Sequence, residues 1–139
     1  MDVSVEALKI AKENSGNNQV IIDFIQEDIL KLDTLPEVDL IVSNPPYVLN
    51  SEKVKVKNNV LEFEPSMALF VEDEDPLIFY KKISELAFMS LNDNGKLFFE
   101  INEQFGNEIV SMLSHIGFVD IELKKDANSK DRMMKSVKK

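Results

Sequence analysis

Cysteine is absent from this 139-residue chain, and histidine occurs once. The first absence excludes disulfides, thiol nucleophiles and cysteine-built zinc sites, and the second excludes a multi-histidine metal centre. Glycine is scarce, with four residues at 16, 95, 106 and 117. No apolar run approaches the ~18 residues needed to span a bilayer, so no membrane association of that kind is expected. Met1 to Glu6 has neither the basic flank nor the apolar stretch of a signal peptide. These absences fit a reducing cytoplasm. What is present is ordinary for one soluble domain with a real core: 44% apolar and 29% charged residues.

The net charge of −9 is unevenly placed: Lys124 to Lys139 carries a net +5 and the first 123 residues −14. An acidic bulk repels phosphate backbones, so no direct nucleic-acid partner is expected. The basic end reads as a solvated closing hairpin with a charged terminus rather than an RNA-binding strip.

Helical and strand patterns alternate. Ser4 suits a helix N-cap, with Val5, Leu8 and Ala11 on one face, and the run Asn14 to Asn18 is expected to stop that helix. Val20 to Ile25 and Val38 to Ser43 read as strands, the second too apolar to have a wet face, which suits a parallel sheet covered on both sides. Residues 48–75 lack a clear period, as a functional loop would. Asp75-Pro76 is expected to open a helix whose inner face is Phe79, Ile83, Leu86, Ala87 and Ser90. Asn92 to Gly95 reads as a turn and Lys96 to Ile101 as a strand. A helix over 103–116 would bury Phe105, Ile109, Met112, Leu113 and Ile116 and stop at Gly117. Residues 118–123 and 132–137 read as a closing antiparallel pair. Alternation of this kind argues an α/β sheet.

The segment with chemistry is Ser43-Asn44-Pro45-Pro46-Tyr47, directly after an apolar strand. Ligands of open α/β sheets bind at the carboxyl ends of strands. Two prolines fix the local path and donate no N–H, so the carbonyls there are rigidly held acceptors. Asn44 adds a side-chain carbonyl and Tyr47 a flat face, a combination suited to a planar group bearing NH2, either an amide or a base's exocyclic amine. Such a nitrogen is a poor nucleophile because its lone pair is delocalised. Acceptors on both N–H bonds orient it and favour loss of planarity, and a sulfonium methyl as electrophile removes the need for a strong base. A diproline that merely ends a strand, with the tyrosine closing the core, is the simpler alternative.

Asn44 to Tyr47 resembles motif IV of S-adenosylmethionine-dependent amino-methyltransferases. Together with Val38 to Ser43, with Phe63-Glu64-Pro65-Ser66-Met67-Ala68-Leu69-Phe70, with Asp75 to Tyr80, and with Gly117 to Ile121 followed by Lys125-Asp126 and Asp131-Arg132, the text resembles the HemK/PrmC family over essentially the whole chain. That family methylates the side-chain amide of the glutamine in the Gly-Gly-Gln motif of peptide-chain release factors. The resemblance implies that Asn44 and the Pro45 carbonyl hold the amide, that Pro46 shapes the wall and that Tyr47 packs on it. It also implies that Asp2 binds the cofactor's ribose hydroxyls, that Asp28 lies near the adenine amino group and that Ile29 lies at the adenine face, with Asn44 bordering the cofactor as well. Read from the residues alone, Asp2 is equally a helix-capping carboxylate and Asp28 a loop residue.

The implied fold is a Rossmann-like class I methyltransferase domain, mostly parallel with an antiparallel C-terminal strand, in the order 3-2-1-4-5-7-6. Its first two strands, its Gly-x-Gly-x-Gly loop and the family's N-terminal helical domain have no counterpart among the 139 residues, so 1–139 is expected to be the C-terminal part of the methyltransferase domain. Weakened binding of S-adenosyl-L-methionine, inactivity of the isolated chain and self-association through an uncovered strand edge are then expected. Strand 20–25 would either pair with strand 38–43, be orphaned, or meet a second chain. The alternatives are a nucleic-acid adenine or guanine amino-methyltransferase, which the −14 of the first 123 residues disfavours, and a non-catalytic binding module. His115 reads as a helix-end imidazole and not a base. Glu100 is either a substrate or cofactor contact or a solvated strand end, and Glu64 is an organiser of the loop. The six methionines read as core filling and Glu72 to Asp75 as a solvated approach to a helix.

Overall fold

The computed structural model describes residues 1–55 and 65–139 and divides into two compact units, 1–33 and 34–139. In the first, helix α1 (Val5–Asn17) starts where Ser4 Oγ accepts the Ala7 N–H at 3.1 Å. It runs three residues beyond the expected stop. The small polar residues bond back into the last turn instead of leaving it: Ser15 Oγ donates to the Lys12 carbonyl (2.9 Å) and Asn18 Nδ2 to the Asn14 carbonyl (2.8 Å). The expected strand 20–25 forms no ladder among the described residues. An isolated parallel bridge joins Asp2 to Gln26, through Asp2 N–H to the Ile25 carbonyl (3.1 Å) and Glu27 N–H to the Asp2 carbonyl (3.2 Å). A ladder needs a partner as long as itself, and the neighbour here is the short stretch before α1, so Ile21 is fully exposed.

The second unit is built on a four-stranded sheet. Strand β1 (Val38–Ser43) leads to β2 (Val48–Leu49) and a 3-10 turn over Asn50–Lys55. After residues 56–64, the short helix α2 (Ser66–Leu69) and β3 (Phe70–Val71) follow, β3 pairing in parallel with β2. Helix α3 (Ile78–Ser90), β4 (Leu91–Glu100), α4 (Gly106–Ile116), β5 (Val119–Lys125) and β6 (Asp131–Val137) complete it. The sheet order is β1-β4-β6-β5, with β1 parallel to β4 and β6 antiparallel to both its neighbours. Three strands therefore run one way and the last one opposes them, the 4-5-7-6 part of the expected order.

Two local expectations yield to tertiary partners. Asp75 does not cap α3: its carboxylate pairs with Lys81 Nζ at 2.7 Å, and the helix begins at Ile78. Tyr80 takes the fully buried place on its inner face, while Phe79 is only half-buried. Asn92 to Gly95, expected as a turn, lies within β4 as an irregularity: Val38 pairs with Leu91 but Leu40 with Lys96, and Asn94 adopts φ 65°. Gly117 ends α4 at φ 119°, where a Cβ would also approach the Phe88 ring to 2.9 Å.

One face of the sheet carries the core. Leu97, Phe99 and Met134 bury themselves with Tyr80, Ile83, Leu86, Ala87, Ile109 and Leu113, and the Tyr80 and Phe99 rings meet edge to face at 5.2 Å. The opposite face departs from the expected double cover. Leu40, Val42 and Met133 remain 52%, 71% and 44% exposed.

Candidate active site

The diproline corner follows β1 at the carboxyl edge of the sheet. Pro45 is buried and Asn44 exposed. Among the described residues none engages the Asn44 carboxamide or the Pro45 carbonyl, so both acceptors stay open. A hollow of about 460 Å³ opens beside Asn44, lined with it by Val42, Phe98, Glu100, Met133 and Lys135. Asn44 therefore borders the hollow, while Pro45, Pro46 and Tyr47 are not among its lining residues.

Three elements hold Tyr47. Its hydroxyl donates to Glu100 Oε1 (2.9 Å), at the end of β4. Asn102, two residues on and buried, donates from Nδ2 to the Tyr47 carbonyl (3.1 Å), while its Oδ1 takes the Gln104 N–H (3.0 Å). Arg132, at the start of β6, places NH1 at 3.4 Å from the Tyr47 hydroxyl. Burial raises the Tyr47 pKa, the Glu100 carboxylate raises it further, and the Arg132 guanidinium opposes both. Tyr80, whose hydroxyl donates to the Glu100 carbonyl (3.2 Å), is driven well above the usual range by burial. Glu100 is thus engaged by a phenol and is not a free strand end. Glu72 and Asp73 are not merely solvated either: Asn50 Nδ2 donates to Glu72 (2.8 Å), and Ser51 Oγ to Asp73 (2.9 Å), tying the exit of the corner down.

Asn102 escapes a reading by motif, and Arg132, though part of the segment Asp131-Arg132 that carries the resemblance, is given no role by it. One signal points to them: a residue just after a strand shares the edge that ligands use. In an antiparallel strand that edge is its beginning, and Glu100 faces Met133 across the β4–β6 ladder.

Asp2, Asp28 and Ile29 lie in the first unit. Asp2 is exposed, and its Oδ1 accepts the N–H of Ser4, the residue that caps α1, at 2.8 Å. Asp28 caps a 3-10 turn over Ile29–Lys31 through the Leu30 N–H (3.1 Å) and pairs with Lys31 (3.1 Å). The Lys31 ammonium and then the Leu30 N–H hold its pKa below the ordinary carboxylate value. The Asp2–Gln26 bridge sets Asp2 two residues from Asp28 across the pair. A carboxylate has about four acceptor positions, so both retain capacity for hydroxyl or amino donors, and half-buried Ile29 offers an apolar surface. His115 is exposed at the end of α4, and Glu64 lies outside the described residues. No cluster of three metal-ligating side chains exists among the described residues, and no helix among them is long and apolar enough to cross a membrane.

A mostly parallel sheet whose last strand is reversed, with an acceptor-rich corner at its carboxyl edge, is the carboxyl-terminal half of the class I methyltransferase fold. Residues 1–66 match the family model of the methyltransferase small domain. A methyltransferase from Pyrococcus furiosus superposes with TM-score 0.68 at 20% identity, over 98% of this chain and 59% of that one. A ribosomal protein L11 methylase from Lactobacillus delbrueckii gives 0.62 at 23%, over 99% and 56%.

Within that class the sequence is more specific. The chain is 52% identical to the release factor glutamine methyltransferase of Flavobacterium psychrophilum, over 97% of this chain and 48% of that protein. To the protein of the same name from Bacteroides thetaiotaomicron it is 42% identical, over 96% and 49%. Over nearly its whole length the chain is thus similar to release factor glutamine methyltransferases, and it spans about half the length of the curated relatives it matches.

Proposed function

We propose that the chain is the C-terminal, amide-binding part of a methyltransferase domain. In the whole protein it would serve methyl transfer from S-adenosylmethionine to the side-chain nitrogen of the glutamine in the Gly-Gly-Gln motif of release factors. The carrying observation is the pair of open acceptors, Asn44 Oδ1 and the Pro45 carbonyl, of which Asn44 lines a hollow of about 460 Å³. The cofactor, when bound, supplies an electrophilic methyl on sulfonium sulfur. The chain's own residues do the rest. Asn44 and Pro45 accept the two N–H bonds and fix the lone pair's direction, Pro46 keeps the backbone from yielding, and the Tyr47 ring bounds the amide plane. Asp2 would take the ribose hydroxyls, Asp28 the adenine amino group and Ile29 the adenine face. Of the four glycines, none forms a loop able to approach the cofactor's amino-acid end, so the 139-residue chain alone binds the cofactor weakly and turns over little. A translation factor as substrate puts the reaction in the cytoplasm. The outer edge of β1, with Leu40 and Val42 exposed, is where the isolated chain self-associates, which sedimentation over a concentration series reads directly.

The test substitutes this chain for its matching segment in the Flavobacterium relative and follows methyl transfer to a release factor and to its Gln→Ala variant. Transfer to the first alone is expected, and Asn44→Ala should lower kcat by about 10²-fold or more, the usual effect of losing one preorganised polar contact. Full transfer by the Asn44→Ala chimera overturns the role given to Asn44. Equal transfer to both release factors overturns the substrate.

A further inference from the structure

The Tyr47 hydroxyl has one proton to give, and Glu100 Oε1 takes it at 2.9 Å. On the acceptor side it faces Arg132 NH1 at 3.4 Å. The same NH1 lies 3.4 Å from the Ile101 carbonyl, and the other side of the guanidinium, Nε, lies 3.6 Å from Asp126 Oδ2. Asp126 is itself fixed: its Oδ1 accepts the Asn128 N–H (2.8 Å) and the Lys130 N–H (3.1 Å) in the turn between β5 and β6. The Arg132 backbone is fixed too, because its carbonyl takes the Ile101 N–H at 2.9 Å. The side chains of Arg132 and Asp126 are 29% and 22% exposed, so water competes only partly. Each Arg132 contact is long for a hydrogen bond. What singles the residue out is one planar fork placed among three acceptors of different elements, a geometry the ammonium of lysine cannot reproduce.

We propose that Arg132, anchored by Asp126, is a positioning residue for the amide pocket: with Glu100 it saturates the Tyr47 hydroxyl, so that Tyr47 serves the substrate through its ring alone. This rests on the function proposed above. The hydroxyl has no proton left to give a substrate, because its only one is committed to Glu100, and Arg132 faces its acceptor side. The arrangement links the β5–β6 turn to the diproline corner through Asp126, Arg132 and Tyr47.

The chain permits a direct test, since it holds two tyrosines and no tryptophan. Tyrosinate absorbance on the 139-residue chain should show two steps, Tyr47 first and Tyr80 later, and Tyr47→Phe assigns the first by abolishing it. Arg132→Met should move that first step to higher pH and Glu100→Gln to lower pH. A residue that only supports the fold would, when lost, let both variants drift toward the ordinary tyrosine value of ~10. A downward or absent shift in Arg132→Met overturns the proposal. Should that variant not fold, Asp126→Asn keeps both turn contacts as an acceptor and frees the guanidinium, and the first tyrosinate step should then move in either direction by a measurable amount; an unchanged step overturns the link. In the chimera, Arg132→Lys should raise KM for the release factor or lower kcat by about tenfold in kcat/KM while cofactor KM stays within twofold, and Tyr47→Phe should keep more activity than Tyr47→Ala. Equal loss in those two tyrosine variants overturns the claim about the ring. A wild-type chimera without transfer fails the functional reading only, and the absorbance steps still decide the network.

Discussion

Residues 20–25 and 38–43 have nearly the same makeup, Val-Ile-Ile-Asp-Phe-Ile and Val-Asp-Leu-Ile-Val-Ser, yet only the second is a strand. Val38 to Ser43 lies along β4 with Ile41 opposite Leu97, and Leu97 is fully buried. Val20 to Ile25 touches its neighbour through one bridge, and Ile21 is fully exposed. Local composition nominates a strand, whereas a partner of matching length makes one. Strand preference is chiefly a measure of fit to a half-buried pleated surface.

That contrast can be broken by three substitutions, read as stability in urea. Leu97→Ala, in the partner strand, should cost the most, about 2–5 kcal/mol, because it leaves a cavity between β4 and the helices. Ile41→Ala, in the half-buried strand itself, should cost about 1–2 kcal/mol, roughly half the worth of a fully buried isoleucine. Ile21→Ala should change stability by less than about 0.5 kcal/mol, as exposed sites do. The reverse ranking, with Ile21 above Ile41, would mean that the first unit buries its apolar run after all.

Much of the second unit is legible in its residues alone. The closing β5–β6 pair, the glycine stop of α4 and the corner after β1 each follow from a local rule with few competitors. The failures are equally physical. Asp75 prefers the nearby ammonium of Lys81 to the helix start. The polar run Asn92 to Gly95, which has every local mark of a turn, is held in β4 by the residue just past β6: the Asn94 N–H donates to the Lys138 carbonyl (2.8 Å) and the Lys138 N–H to the Gly95 carbonyl (2.9 Å). Tyr80 displaces Phe79 inward because its hydroxyl finds the Glu100 carbonyl, a partner phenylalanine cannot use. At the site, the corner's own residues are readable as a contiguous motif. Asn102 and Arg132 are not, since their relation to Tyr47 exists only once the last strand has turned back along β4.

That reversal has a consequence for synthesis. Arg132 follows Tyr47 by 85 positions. At typical rates of 5–20 residues per second, roughly 4 to 17 s separate translation of the tyrosine from translation of its clamp. During that interval the nascent polypeptide carries the whole recognition tetrapeptide without the strut behind it, so competence for its task is acquired only after release of this late stretch from the ribosomal tunnel.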